Sequence, residues 1–314
     1  MNKINRKLLE FLAEHSAISN KELTALFEKE VYPSSDSWYR FLRTTTLALG
    51  IGFCTLGMLF FFAYNWENIH KFVKIGLIEG LLIGILVVIQ YAKLKTDLKN
   101  MLLTAAAIII GVLFAVFGQI YQTGANAYDF FLGWTLAITC WVLLSDYAPL
   151  WLLFIVLINT TAYFYSEQVA LWSSLETSSV FILGNGLFVC SALYLKRKGN
   201  HVPNWLIRIL SVGAVFVMTL GIVNGIHTAI DDLLFFVLLS IVTVLYSLAL
   251  LYGYQEKSTF YPVLITLSFM IISTNFLIRA FEFGNTFLFL SFYNLIVASI
   301  ATRQLLKLQQ TWNA

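Results

Sequence analysis

Residues 72–91 read FVKIGLIEGLLIGILVVIQY, and this stretch decides the class of fold. An α-helix of roughly 20 mostly apolar residues crosses a hydrocarbon core about 30 Å thick. The stretch has that length and carries only two charged residues, Lys74 and Glu79. It therefore predicts a transmembrane helix.

Comparable apolar stretches recur along the chain and are joined by short polar connections. They predict an all-α polytopic membrane helix bundle with about ten transmembrane helices. The predicted spans are 44–64, 72–91, 101–121, 129–145, 147–165, 178–195, 205–224, 233–252, 260–279 and 286–303. The chain then divides into a cytoplasmic helical leader (1–43), a transmembrane bundle (44–303) and a short cytoplasmic tail (304–314).

Composition supports a membrane protein and argues against an ordinary soluble domain. Hydrophobic residues make up 59% of the chain and charged residues 12%, against about a quarter charged in a typical soluble domain. Cys54, Cys140 and Cys190 fall inside predicted spans and have no paired spacing. We expect them to be packing residues, and we predict no metal site and no cofactor.

The distribution of charge predicts the orientation in the membrane. If the N-terminus is cytoplasmic, only Lys71, Lys74 and Arg279 of the 20 basic residues lie outside, as the positive-inside rule requires. An even number of spans then makes both termini cytoplasmic. The outer connections carry more acids than bases: Glu67, Asp129, Glu167, Glu176, Asp231, Asp232 and Glu282. This negative face would attract cations, or it only reflects the scarcity of Lys and Arg in translocated loops.

The leader is polar and contains no cleavable signal peptide. Ile4, Leu8 and Leu12 form one apolar helical face, and Ser19 with Glu22 resembles a capping box that opens a second short helix. Acids alternate with the bases, so no basic recognition face for nucleic acid results. We expect the leader to lie on the membrane or to dock a cytoplasmic protein partner.

Glu79 is the exceptional residue inside the spans. It lies seven residues beyond Phe72, roughly 10 Å along the helix, where an unpartnered charge is unfavourable. Gly76, Gly80 and Gly84 recur beside it at spacing four, a pattern that allows close helix approach. We expect Glu79 to point into the bundle, either to couple a proton or cation to transport or to donate one hydrogen bond to a neighbouring helix.

Two polar motifs fall on the predicted outer side: AYNW at 63–66 and GQIYQTGANAYD at 118–129. Aromatic rings in them suit a membrane-interface belt. The second motif predicts non-helical backbone near membrane depth, which requires protein cover or a wet cavity. The chain has no Lys or Arg between Lys99 and Lys196. We therefore predict a hydrogen-bonding vestibule formed by the amides Asn65, Gln119, Gln122 and Asn126.

The strings AYNW and GQIYQTGA, the following tryptophans Trp134 and Trp141, and the polar leader resemble a bacterial family of predicted membrane proteins, domain of unknown function 2157. The resemblance covers roughly residues 1–165. It implies a multi-pass protein of the bacterial cytoplasmic (inner) membrane. It implies no substrate and no functional residue.

Further polar residues extend the candidate solute site into the spans. Asn185 lies between Gly184 and Gly186, a pattern that predicts a broken helix of the kind found at transporter substrate sites. Arg279 is expected to pair with Glu282, to approach Glu79 or to bind an anionic ligand. Other amides inside the spans serve either this site or interhelical hydrogen bonding: Asn159, Asn275 and Asn294.

Three classes of function are consistent with these residues. The first is a secondary transporter or channel-like protein for a small solute or cation, using Glu79 and the outer amides. The second is a non-catalytic scaffold or sensor that docks a partner through residues 1–43. The third is an intramembrane enzyme, but the sequence contains neither H-E-x-x-H nor G-x-S-x-G. We expect no catalytic residues and favour transport because of Glu79 and the polar motif at 118–129.

Overall fold

Ten α-helices follow one another along the chain in the computed structural model, which describes Glu22 and residues 35–64, 70–121, 124, 126–281 and 286–313. They are α1 (Ser35–Tyr64), α2 (Lys71–Tyr91), α3 (Thr96–Tyr121), α4 (Ala127–Leu144), α5 (Ala148–Tyr165), α6 (Ser174–Arg197), α7 (Asn204–Thr228), α8 (Leu233–Gln255), α9 (Phe260–Phe281) and α10 (Thr286–Asn313). A π-helical turn, Ser166–Ala170, follows α5.

The predicted fold class is confirmed, because all ten helices are long and apolar enough to cross a membrane. The protein is a multi-pass membrane protein. α1 begins at Ser35, so the last residues of the predicted leader are continuous with the first span. The two short leader helices and the Ser19 capping box lie outside the described residues.

Local sequence explains where several helices begin. Ser173 accepts a hydrogen bond from the Glu176 N–H at 3.3 Å, and Glu176 accepts one from the Ser173 N–H at 2.8 Å, which caps α6. Asp232 accepts from the Leu234 N–H at 2.9 Å at the start of α8. Pro149 occupies the first turn of α5, where a missing N–H costs no helical hydrogen bond.

The chain divides into two compact units, Met1–Val116 and Phe117–Ala314. In the first unit, α1 is largely exposed, and α2 buries Lys74 and Ile78. α3 is the most buried helix of this unit. Its small residues Ala105, Ala106 and Ala107 are all buried.

In the second unit, α7 is the central helix and packs against α5, α6, α8 and α9, while α4 packs on α5 and α10 on α9. The core formed by α6, α7 and α8 consists of apolar residues: Leu175, Ile182, Ala214, Met218, Ile222, Ile226, Phe235, Leu238 and Val242. The exposed stripe of α7 is also apolar, since Val212, Phe216 and Leu220 lie on its surface. An apolar exposed stripe suits lipid rather than water.

The cysteines depart from expectation. Cys54, Cys140 and Cys190 were expected to be packing residues, but all three are free and exposed. A small apolar side chain is as compatible with a lipid-facing position as with a core, and composition alone does not distinguish the two.

Candidate functional site

Glu79 is exposed on α2, opposite to expectation. A Cβ added at Gly76, Gly80 or Gly84 would meet no atom within 4 Å. Within the described residues, the glycine stripe therefore carries no close helix contact. The face of α2 that does pack is centred on Ile78, one residue from Glu79 and therefore about 100° away around the helix. A coupling role for Glu79 stays a prediction.

The structure describes two of the four outer amides, and both are exposed. Asn65 and Gln122 lie outside the described residues. Gln119 is exposed in the last turn of α3, and Asn126 is exposed immediately before α4. The Asn126 N–H donates to Asp129 Oδ2 at 3.1 Å, so Asp129 caps α4.

The polar motif at 118–129 is more helical than predicted. Its first four residues complete α3, and its last three open α4. Gly124 has a φ of +62° between the two helices, a conformation that glycine adopts without strain. The polar side chains near the ends of α3 and α4 do not interrupt these helices, because hydrogen bonding within a helix satisfies the backbone.

Asn185 is buried and makes a specific interhelical contact. Its Nδ2 donates to Asn159 Oδ1 on α5 at 2.7 Å and to the Phe181 carbonyl at 3.0 Å. The helix is continuous through Gly184 and Gly186, so the expected break is wrong. Asn185 joins two helices, which corresponds to the interhelical alternative for the intramembrane amides.

Arg279 is exposed near the end of α9, and its expected partner Glu282 lies outside the described residues. One turn earlier, Asn275 Oδ1 lies 3.2 Å from His227 Nε2 on α7. The Thr274 hydroxyl donates to Asn294 Oδ1 at 2.9 Å, which connects α9 to α10. Polar groups at this end of the second unit thus form separate pairwise contacts between helices.

A pocket of about 330 Å³ opens between α4, α5 and the start of α6. We call it the aromatic pocket. Tyr128, Tyr165 and Trp172 line it; the first two rings have centroids 5.2 Å apart, and the last two 5.6 Å apart. Its remaining lining residues are Leu132, Thr135, Ile158, Thr161, Ala162 and Val180.

Two threonine hydroxyls add polar atoms to the lining of the aromatic pocket. Thr135 Oγ1 and Thr161 Oγ1 lie 3.3 Å apart. Each hydroxyl donates its proton to its own helix, to the Phe131 carbonyl at 2.7 Å and the Leu157 carbonyl at 2.8 Å. A hydroxyl has one proton and two lone pairs. The pair therefore presents acceptor oxygens and no free donor.

The turn after α5 positions two of the aromatic rings. Ser166–Ala170 forms the π-helical turn, and Leu171 adopts a left-handed conformation with a φ of 52°. This turn places Trp172 close to Tyr165. The backbone N–H of Trp172 donates to the Ser166 carbonyl at 3.2 Å. Gln168 Oε1 accepts from the Tyr128 N–H at 3.0 Å and ties the turn to the start of α4.

A second space lies among α6, α7, α8 and α9. This bundle cavity has a volume of about 110 Å³ and an almost wholly apolar lining, which includes Gly186, Ala214, Met218, Leu245 and Ile265. A wholly apolar cavity of comparable size stays dry and takes small apolar groups.

A hydroxyl network joins α7, α8 and α9, and one of its members, Tyr246, lines the bundle cavity. Ser268 Oγ lies 2.6 Å from both Thr219 Oγ1 and Tyr246 OH, and Thr219 donates to the Val215 carbonyl at 2.6 Å. If Tyr246 donates to Ser268 and Ser268 donates to Thr219, every proton has an acceptor. Three helices are thereby joined by buried polar groups without an unsatisfied donor.

A third space, the basic pocket, occupies about 220 Å³ at the end of α6 and the start of α7. It lies at the end of the bundle predicted to face the cytoplasm. Its lining residues are Lys196, Asn204, Ile207, Arg208, Tyr252, Glu256, Ser258 and Tyr261. Tyr252 and Tyr261 also line the bundle cavity, so the two spaces share a wall.

The residues that line these three spaces were not predicted from the sequence as site residues. Many serine and threonine hydroxyls of the described residues bond to a carbonyl four residues earlier, as Thr139 and Ser178 do. Nothing in the sequence distinguishes such hydroxyls from those of Thr135, Thr161 and Ser268, which also contact another helix. None of the three spaces is lined by four of the predicted site residues: Gln119, Asn126, Asn185 and Arg279.

Among the described residues, no group of three or more His, Cys, Asp or Glu side chains is placed to hold a metal ion. No curated protein and no solved structure matches the chain. Residues 12–151 match the family described as "Predicted membrane protein (DUF2157)", which confirms the family resemblance carried by AYNW and GQIYQTGA.

Proposed function

We propose that this multi-pass membrane protein binds a small organic cation in the aromatic pocket and carries it across the membrane as a secondary transporter. The observation that supports the proposal is the combination of three aromatic rings and two acceptor oxygens around one open space. Tyr128, Tyr165 and Trp172 supply the rings, and Thr135 and Thr161 supply the oxygens. This pocket replaces the predicted vestibule of amides as the candidate solute site.

The chemistry of the lining favours a cation over an anion. Aromatic faces attract cations within about 6 Å of the ring centroid, with ~0.5–2 kcal/mol for each contact. The Thr135 and Thr161 oxygens offer lone pairs, because their protons are already donated to backbone carbonyls. An anion would find no donor from these two hydroxyls.

The charged residues around the aromatic pocket also favour a cation. α4, α5 and the first turns of α6 come from the part of the chain without lysine or arginine. Asp129, Glu167 and Glu176 lie at the same ends of these helices. A pocket of about 330 Å³ is also within the usual range for small-molecule sites, about 300–1,000 Å³.

The first test is choline binding to the purified full-length protein by isothermal titration calorimetry. The neutral isostere 3,3-dimethyl-1-butanol has the same shape without the charge. We expect choline to bind at least tenfold more tightly than the alcohol. Equal binding of the two would contradict a cation site and favour a neutral solute.

A matched pair of variants locates the site. Tyr165 lines the aromatic pocket, whereas Tyr163 on the same helix is 49% exposed and lies outside it. Tyr165→Leu should weaken choline binding about three- to thirtyfold, the effect of one cation–π contact. Tyr163→Leu should leave the affinity within twofold. Equal losses in both variants would remove the aromatic pocket from the proposal.

A further inference from the structure

The basic pocket and the bundle cavity lie side by side and differ in chemistry. Tyr252 and Tyr261 line both spaces, and their rings meet edge to face with centroids 5.2 Å apart. One space is polar and is lined by two cationic side chains. The other is apolar and lies among four helices. A ligand that fills both must be charged at one end and apolar at the other.

We propose that these two spaces bind one anionic lipid, with its phosphate group at Lys196 and Arg208 and part of an acyl chain in the bundle cavity. This site is separate from the aromatic pocket and goes beyond the proposed transport function. Its residues belong to α6–α9 and their connections, whereas the aromatic pocket belongs to α4, α5 and the start of α6.

The polar end matches a phosphate group. Lys196 and Arg208 supply charged donors, and Asn204 and Ser258 add neutral donors on the same lining. Neither cation takes part in an ion pair within the described part of the chain. Arg208 lies over the Phe260 ring at 5.6 Å, which leaves its nitrogen donors free to bind a ligand.

One carboxylate, Glu256, also lines the basic pocket. Two further bases lie next to the lining residues in the chain: Arg197 beside Lys196, and Lys257 between Glu256 and Ser258. The net charge around the basic pocket therefore stays positive. Basic pockets between membrane helices at the cytoplasmic face are general binding sites for anionic lipid headgroups.

The apolar end distinguishes a lipid from free phosphate. The bundle cavity of about 110 Å³ is somewhat smaller than a cavity of ~150 Å³ that accommodates benzene. The bundle cavity therefore holds only a short part of an acyl chain, and the rest of the acyl chain lies along the exposed apolar surface. Free phosphate would occupy the basic pocket and leave the bundle cavity empty.

The test is native mass spectrometry of the full-length protein in detergent micelles that contain dioleoyl phosphatidylglycerol or dioleoyl phosphatidylcholine. We expect phosphatidylglycerol to bind at least tenfold more tightly. Lys196→Gln and Arg208→Gln should each weaken it about fivefold, the effect of one charge at the membrane surface. Arg208→Lys keeps the charge and should bind within about twofold of the unmodified protein.

Lys198 provides the matched control. It lies two residues after Lys196, is exposed and packs over the Tyr194 ring at 4.8 Å, outside the basic pocket. Lys198→Gln should leave phosphatidylglycerol binding within twofold. A loss as large as that of Lys196→Gln would show a diffuse surface attraction and overturn the site.

A second pair of measurements separates lipid from free phosphate. Ala249 lines the bundle cavity, so Ala249→Leu should reduce phosphatidylglycerol binding about fivefold by filling it. Inorganic phosphate at millimolar concentration should displace little of the lipid. Equal affinity for both lipids, or complete displacement by phosphate with no effect of Ala249→Leu, would contradict the proposal. Unchanged choline binding in these variants would show that the transport proposal stands independently.

Discussion

Asn185 Nδ2 donates to Asn159 Oδ1 at 2.7 Å, and this single amide contact joins α5 to α6 inside the second unit. Asn159 Nδ2 in turn donates to the Ile155 carbonyl at 2.9 Å. Both amides are thus occupied within the protein. The residue that the sequence marked as a candidate for a broken-helix solute site instead contributes to helix association.

A double-mutant cycle should detect this contact. We expect Asn159→Leu and Asn185→Leu to show a coupling free energy of about 0.6 kcal/mol, the mean for hydrogen bonds between membrane helices. The measurement is unfolding by a denaturing detergent for both single variants and the double variant. Strictly additive effects would mean that the two amides do not stabilise one another.

The hydroxyl network should stabilise the bundle of α7, α8 and α9. Ser268→Ala leaves Tyr246 OH and Thr219 Oγ1 without their 2.6 Å partner. We expect the free energy of unfolding to fall by about 1 kcal/mol. Ser240→Ala is the control, because exposed Ser240 bonds to the Phe236 carbonyl of its own helix. Equal effects of the two variants would contradict a role for the network.

Gly225 on α7 lies against the side chain of Phe235 on α8. An added Cβ would overlap the ring of buried Phe235, and an aromatic ring in a core has little room to move. Gly225→Ala should therefore destabilise the protein by about 1–3 kcal/mol. Gly213→Ala on the same helix meets no atom within 4 Å and should be neutral or slightly stabilising. Similar thermal stability of both variants would argue against this packing.

The orientation predicted from charge can be checked by cysteine labelling in a variant without the three native cysteines. Glu167 and Asn200 are both exposed, at opposite ends of the second unit. We expect a membrane-impermeant maleimide to label Glu167→Cys in intact cells and Asn200→Cys only after permeabilisation. The reverse pattern would invert the predicted topology, and with it the assignment of outer and inner pockets.

Much of the fold could be predicted because a transmembrane helix is a local property. The length and hydrophobicity of a segment such as 233–252 can be read without knowing the rest of the fold, and α8 begins at the predicted Leu233. Helix ends were less predictable, because polar residues such as Asp97 to Asn100 and those after Arg303 continue a helix beyond the hydrocarbon region.

The candidate site was far less predictable, because its walls come from separated segments. Trp172 meets Tyr165 through the turn at Ser166–Ala170 and the left-handed Leu171. Tyr128 meets Tyr165 because α4 packs on α5. Aromatic residues near span ends are typical of the membrane interface, so nothing in the sequence distinguishes these three as pocket residues. Conversely, Glu79 is conspicuous in sequence but exposed in the structure.

Choline exchange in proteoliposomes shows whether the protein carries organic cations. Vesicles that contain the full-length protein are loaded with choline, and the entry of labelled external choline is followed over time. We expect saturable exchange that Tyr165→Leu reduces at least threefold and that Tyr163→Leu leaves unchanged. Exchange equal to that of protein-free vesicles, or equally fast in both variants, would contradict a carrier that binds organic cations in the aromatic pocket.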